Sequence, residues 1–243
     1  MEKKVLVKLE NVSKKYGNKY IIKNLNLEIY EGEFLTLLGS SGCGKTTILN
    51  IISGILKPTK GNVKVNGKMG YMFQKDLLFE WRTIWKNLLI GLEITKNNSK
   101  ENQKTVLNRL EKYGLAEFKD NYPKELSGGM RQRIALIRTL STNPNVLLLD
   151  EPFSALDYQT RLNISNDIYD VIKQEELTAV LVTHDISEAI SMCDKIIVLS
   201  KRPATIKKEI TLDFNKNLKP LERRKDPLFQ EYFDEVWGLI NEN

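Results

Sequence analysis

Residues Phe34–Thr47 read FLTLLGSSGCGKTT, and this stretch decides the fold. Phe34–Leu38 is a short apolar run of strand length. It passes directly into Gly39, Ser40, Ser41, Gly42, Cys43, Gly44, Lys45, Thr46 and Thr47, which satisfy G-x-x-x-x-G-K-[ST] at Gly39, Gly44, Lys45 and Thr46. The chemistry requires these residue types. Glycines let backbone N–H groups turn inward around an anion without a Cβ clash. A helix expected from Lys45 to Ser53, with Gly54 as its stop, aims its positive end at the same anion. Lys45 can reach β- and γ-phosphates, and the Thr46 hydroxyl suits Mg²⁺. The stretch predicts a strand, a phosphate loop and a helix that together bind ATP.

Upstream, Val5–Leu9 and Ile21–Ile29 carry apolar residues at near-alternate positions, with Tyr16-Gly17-Asn18 as a turn signal between them. Downstream, Gly61–Gly67 with its Asn66-Gly67 pair reads as part of a hairpin, and Lys68–Gln74 as a strand. From Asp76 to Thr142 helical spacing takes over, as at Val106, Leu107, Leu110 and Tyr113. Strands at Asn145–Asp150, Ala179–Thr183 and Lys195–Leu199 then alternate with helices at Gln159–Lys173 and Ile186–Met192. That alternation implies parallel pairing. The fold class is α/β, in one domain. Its core takes approximately residues 1–75 and 143–210, a helical lobe approximately 76–142 is inserted, and an amphipathic C-terminal helix is expected over approximately 227–241. In that helix Leu228, Phe229, Tyr232, Phe233, Val236, Leu239 and Ile240 form one stripe, suited to packing on the body or to a partner contact.

Four further features carry chemistry. Val146–Asp150 then Glu151 reads as a buried strand ending in two acids, and acids at the carboxyl end of a parallel strand face the ligand crevice. Asp150 would hold Mg²⁺, directly or through water, and Glu151 would polarise the attacking water as general base. His184, the single histidine, follows the strand Ala179–Thr183, where it can meet a γ-phosphate or the attacking water. Gln74 ends the strand Gly70–Phe73, and its amide can reach Mg²⁺ or the water. Leu126-Ser127-Gly128-Gly129-Met130 opens a helix running to about Leu140; Ser127 fits an N-cap, and the glycines leave N–H groups bare at a second anion-binding helix end.

Composition narrows the class without naming it. The 243 residues include 37 Lys and Arg against 31 acids, a mild bias that selects no polyanion. Cys43 and Cys193 lack C-x-x-C spacing, which is consistent with reduced thiols in the cytosol. Alkylation of Cys43 is expected to block ATP. The N-terminus lacks an apolar run of signal-peptide length, and no stretch reaches the about 18 apolar residues of a membrane span. Work at a membrane would need another chain to carry this one there.

Taken together and in this order, the segments resemble the ATP-binding subunit of an ABC transporter, over Tyr16 to about Arg202. Six separated motifs agree: the phosphate loop, Gln74 as the Q-loop, Leu126–Met130 with Arg131-Gln132 as the signature, Val146–Glu151 as Walker B, Ser154-Ala155-Leu156-Asp157 as the D-loop, and His184 as the switch histidine. Tyr16 sits where the family places an aromatic that stacks on adenine. The resemblance implies the P-loop NTPase fold of ABC-type ATPases, with an antiparallel β subdomain and an inserted helical lobe. It implies ATP and Mg²⁺ as cofactors and a head-to-tail homodimer formed on ATP binding. Ser127, Gly128, Gly129 and Asp157 would then act on the partner's ATP. It also implies integral-membrane permease subunits as partners, a solute-binding protein indirectly, no nucleic acid, and a peripheral place on the cytoplasmic face of the cell membrane.

Phe79–Thr83, Glu151–Arg161, Thr183–Ile190 and Leu199–Ile206 are similar to the nitrate, sulfonate and taurine importer group; importers of pyrimidine vitamin precursors or riboflavin share such segments. Two departures stand out. Glu80 occupies a position where the group often has proline, in a segment expected to touch the membrane partner, and Met130 replaces the usual signature glutamine. The rival readings are a soluble ABC ATPase acting on DNA, the ribosome or iron–sulfur assembly, a small-molecule P-loop kinase, and an exporter half. A kinase has no use for Leu126–Met130 or His184, and exporters commonly fuse this domain to membrane helices.

Overall fold

The computed structural model describes residues 4–215 and 217–241. Nine strands form two sheets among the described residues. The first sheet is antiparallel, in the order β2–β1–β4, from β1 (Val5–Tyr16), β2 (Lys19–Tyr30) and β4 (Lys60–Val65). The second has the order β5–β6–β7–β3–β8–β9, from β3 (Phe34–Leu38), β5 (Met69–Met72), β6 (Val146–Asp150), β7 (Thr178–Thr183), β8 (Lys195–Leu199) and β9 (Ile206–Thr211). Its first five strands are parallel, and β9 closes the edge antiparallel to β8.

The central strands are apolar throughout because both faces are covered. Period-two alternation divides their side chains. Val146, Leu148, Val180 and Val182 pack under the antiparallel sheet and helix α1 (Lys45–Ile52). Leu147, Leu149, Ala179 and Leu181 pack on the opposite face, with helix α5 (Tyr158–Gln174).

Helices α2 (Ile84–Ile94), α3 (Lys100–Lys112) and α4 (Gly128–Leu140) lie between β5 and β6 in the chain and share a third core around Leu88, Val106, Leu110 and Ile137. α4 belongs to two cores: Ile134 and Ile137 face this lobe, while Ala135, Leu136 and Leu140 join the α5 side of the sheet. Arg133 donates to Asp167 of α5 at 2.8 Å. A fourth core joins helix α6 (Ile186–Met192) and β8 to helix α8 (Pro227–Asn241), which follows the short α7 (Pro220–Arg223). Val236 is the fully buried anchor of α8, so the tail stripe packs on the body.

One expectation changes. Gly61–Gly67 is not one arm of a hairpin with the strand that follows. β4 pairs with β1, through Val7 opposite Val65, and Asn66-Gly67 carries the chain across to the other sheet. The Asn-Gly pair signals a tight reversal, but β5 has its apolar residues placed for pairing with β6, and tertiary packing outweighs the turn signal. Strand β9 carries no strong strand pattern in the sequence because its IKKEIT run is a mostly exposed, charged edge.

Candidate functional site

Register brings the site together. Leu38 pairs with Thr183, and Asp150 with Val182, so Gly39, Glu151 and His184 emerge side by side at the carboxyl ends of β3, β6 and β7. Gln74 follows β5 at the same end. This is the edge where open parallel sheets bind ligands.

The phosphate loop runs from Gly39 into α1. Gly44 is the N-cap of α1, with φ 127° and no side-chain cap, so the first N–H groups of the helix have no internal acceptor. A residue with a Cβ would be strained at that φ and would press on Ile21 of β2, at 3.1 Å. Ser40, Ser41, Gly42 and Thr46 are exposed, and Thr47 is half-buried. Lys45 is 5% exposed, and its Nζ donates to the carbonyls of Gly39 at 2.8 Å and Ser40 at 3.1 Å. The ammonium is therefore curled over its own loop. Cys43 is buried and burial pushes its thiol up, which disfavours the thiolate that alkylating reagents attack. Tyr16 ends β1 with its ring 55% exposed and the Lys14 ammonium 5.2 Å from the ring centroid. The adjoining strand β2 touches Gly44 through Ile21, which places the hairpin beside the loop.

Thr46 Oγ1 donates to Asp150 Oδ1 at 3.0 Å. Octahedral Mg²⁺ with bonds of 2.0–2.1 Å sets neighbouring ligands about 2.9 Å apart, and the ion is usually held by one or two carboxylates plus substrate phosphates. The Thr46–Asp150 pair fits that donor set. The Tyr71 hydroxyl lies 3.3 Å from Asp150 Oδ2 and 3.1 Å from Asn50 Oδ1. Burial raises the Asp150 carboxyl, partly offset by these hydrogen bonds, and a cation here would reverse the shift. Gln74 does not touch this pair; its Nε2 donates to Ser154 Oγ at 3.2 Å.

Glu151 has φ 45°, the left-handed region, immediately before Pro152. Such backbone costs of order 1 kcal/mol and is retained where surrounding structure dictates it. Here the Glu151 N–H donates to Val182 O at 2.9 Å and the Glu151 carbonyl accepts from Ser154 N at 3.2 Å. The result aims the carboxylate at His184, with Glu151 Oε2 and His184 Nδ1 3.2 Å apart.

Ser127, Gly128 and Gly129 lie elsewhere. No hydrogen bond joins them to the phosphate loop of the same chain among the described residues. Ser127 is the N-cap of α4, accepting from Met130 N at 3.4 Å. Gly129 has a second reason to be glycine: a Cβ there would meet Thr160 Cγ2 of α5 at 2.7 Å. Asp157, expected to reach across a dimer, caps α5 by accepting from Thr160 N at 3.0 Å.

Sequence reasoning missed Tyr71, Asn50 and Arg161, which meet Asp150, Tyr71 and Asp185 from other parts of the chain. It also missed Glu188, 4% exposed, which accepts from Thr183 Oγ1 at 2.6 Å. Burial pushes its carboxyl up to about 7. The folded chain therefore binds a proton that an unfolded Glu releases near its ordinary value of 4.5. This contribution is full below pH 4.5 and is lost as pH rises to about 7, amounting to about 3 kcal/mol. Glu188→Gln is expected to raise the thermal midpoint at pH 8 and leave it unchanged at pH 4.5. Equal shifts at both values would refute this.

A nucleotide-type phosphate loop, a Thr–Asp pair and a Glu–His pair on one sheet edge define a P-loop ATPase. A model described as ABC transporter matches residues 22–154, and the chain belongs to that family as one of its ATP-binding, ATP-hydrolysing domains. It is 44% identical over 229 residues to the uncharacterized ABC transporter ATP-binding protein YtlC of Bacillus subtilis, covering 90% of this chain and 88% of the relative. It is 37% identical to the nitrate import ATP-binding protein NrtD of Synechocystis, covering 93% of this chain and 90% of the relative. The dimeric post-hydrolysis state of the ATP-binding cassette MJ0796, bound to ADP and Pi, superimposes with TM-score 0.74 at 34% identity, covering 86% of this chain and all of that one.

Proposed function

We propose that this chain is the nucleotide-binding subunit of an importer and couples ATP binding and hydrolysis in a head-to-tail dimer to movement of a membrane permease. The observation that carries the proposal is the presence of two glycine-flanked helix N-termini, each suited to an anion. One, at Gly44–Thr46, lies in the phosphate loop, and the other, at Ser127–Gly129, makes no hydrogen bond to that loop among the described residues. A twofold pair uses both, each copy closing the other's ATP.

In this reading Gly39–Thr47 wrap the phosphates with backbone N–H groups, and Lys45 exchanges its loop carbonyls for phosphate oxygens. Tyr16 stacks on adenine. Thr46 and Asp150 hold Mg²⁺, with Gln74 alongside; bound there, the ion neutralises charge that develops on the phosphates. Glu151 accepts the proton of the attacking water, and His184 orients Glu151 and meets the γ-phosphate. Ser127, Gly128, Gly129 and Asp157 act on the partner's nucleotide.

The permease contact is assigned to residues 76–83. Asn87, fully buried, donates to the carbonyls of Phe79, Arg82 and Thr83 and accepts from Phe79 N, and so fixes a turn that presents Trp81 at 75% exposure. Arg131 of α4 binds Asp76 at 2.9 Å and Glu80 at 2.7 Å, joining that turn to the signature helix. The departure at Glu80 thus supplies a partner for Arg131.

Among the described residues no helix is long and apolar enough to cross a membrane. The importer relatives support assigning the permease to other chains and this one to the cytoplasmic face of the membrane. The resemblance to the nitrate, sulfonate and taurine group and the nitrate-import relative support a small anion as solute. The test is purification of the tagged chain from its own cells, with uptake assayed in a deletion strain. A polytopic membrane protein should co-purify, and uptake of nitrate, taurine or an alkanesulfonate should be lost. Co-purification of nucleic acid without a membrane protein would overturn the transport reading, and intact anion uptake would overturn the solute.

A further inference from the structure

His184 lies inside a closed hydrogen-bonded turn. Asp185 N donates to Thr183 Oγ1 at 3.0 Å, Asp185 Oδ1 accepts from Glu188 N at 3.1 Å, and Thr183 Oγ1 donates to Glu188 Oε2. Asp185 is the N-cap of α6, so its carboxylate sets where that helix begins and how the preceding histidine is presented. Its second oxygen, Oδ2, accepts from Arg161 Nη1 at 3.4 Å. The same nitrogen lies 3.6 Å from Glu188 Oε1.

Arg161 stands on the first turn of α5, and its other branch runs in a different direction. Nη2 donates to the carbonyl of Leu156 at 3.3 Å. Leu156 precedes Asp157, and its side chain lies against Gly128 of α4. The 154–157 loop begins at Ser154, whose N–H returns to the Glu151 carbonyl and whose hydroxyl accepts from Gln74. One planar guanidinium therefore grips the 154–157 loop with one arm and the base of the histidine turn with the other. Its Nε is buried with no hydrogen-bond partner among the described residues, so the fork is held through its two Nη nitrogens, Nη2 on Leu156 and Nη1 on Asp185 and Glu188. These contacts are long for charge-assisted hydrogen bonds and so shift readily with either loop.

We propose that Arg161 is a positioning residue that ties the seating of the 154–157 loop to the placement of His184 against Glu151. When a partner subunit presses on that loop, the shift at Leu156 passes through the rigid fork to Asp185, and from there to the histidine beside it. A lysine cannot replace it, because an ammonium on a flexible stem cannot fix two acceptors in one plane. The proposal rests on the ATPase reading in which Glu151 and His184 act.

The test is steady-state ATPase of the full chain with Mg²⁺ at protein concentrations that allow pairing, for Arg161→Ala, Arg161→Lys, His184→Ala and the double variant Arg161→Ala/His184→Ala. Arg161→Ala is expected to lower kcat at least tenfold with KM for ATP within twofold, and Arg161→Lys to do the same. The double variant should be no slower than His184→Ala alone, because both act through one contact. With Glu151→Gln added, Arg161→Ala should still form an ATP-dependent dimer on gel filtration. Unchanged kcat, full rescue by lysine, multiplicative losses in the double variant, or loss of the dimer would each overturn the inference. Normal ATPase in Glu151→Gln would instead overturn the reading beneath it.

Discussion

Lys45→Ala is expected to weaken ATP binding at least 100-fold, measured by titration calorimetry on the folded variant. The side chain is 5% exposed and makes two hydrogen bonds to Gly39 and Ser40 carbonyls, the groups it gives up in favour of phosphate oxygens. Charge-assisted hydrogen bonds to a polyanion are worth about 1.5–3 kcal/mol each, and two of them amount to at least a hundredfold in affinity. Alanine also leaves the two carbonyls without their donor, so a modest fall in thermal midpoint should accompany the loss. Unchanged affinity would remove the phosphate loop from the ATP site.

Glu151→Gln is expected to lower ATP turnover by about 10²–10⁴ while leaving binding intact, so that an ATP-bound dimer accumulates on gel filtration. The substitution keeps shape and one oxygen but removes the proton acceptor. The left-handed backbone at position 151 and its hydrogen bonds to Val182 and Ser154 do not depend on the side chain, so the fold should survive. Turnover at the normal rate would remove Glu151 as general base.

Much of this site is legible in the chain. The phosphate loop, Asp150, Glu151, His184 and Gln74 each follow an apolar run, and an apolar run bounded by such residues marks a buried parallel strand with its carboxyl end at the crevice. What was hidden was pairing. Nothing local places Lys60–Val65 beside β1, since β4 is mostly exposed and shows weak alternation. The second reason for Gly129 lies in Thr160, and the cap made by Asp157 lies in the backbone of α5. Arg161 takes its meaning from Leu156 and Asp185, which lie within reach of its two arms. Sequence spacing exposes motifs that are contiguous; it does not expose a side chain whose meaning is set by two loops at once.

Because α4 lends one face to the lobe and the other to the sheet, it forms a seam rather than a hinge. Where it meets α5, Gly129 lies against Thr160, Arg133 pairs with Asp167, and Leu136 and Leu140 share a core with Ile164 and Ile168. To part from α5, α4 would have to draw Leu136 and Leu140 out of the sheet core. Any tilt of the lobe against the sheet is therefore resisted by the burial of two leucines.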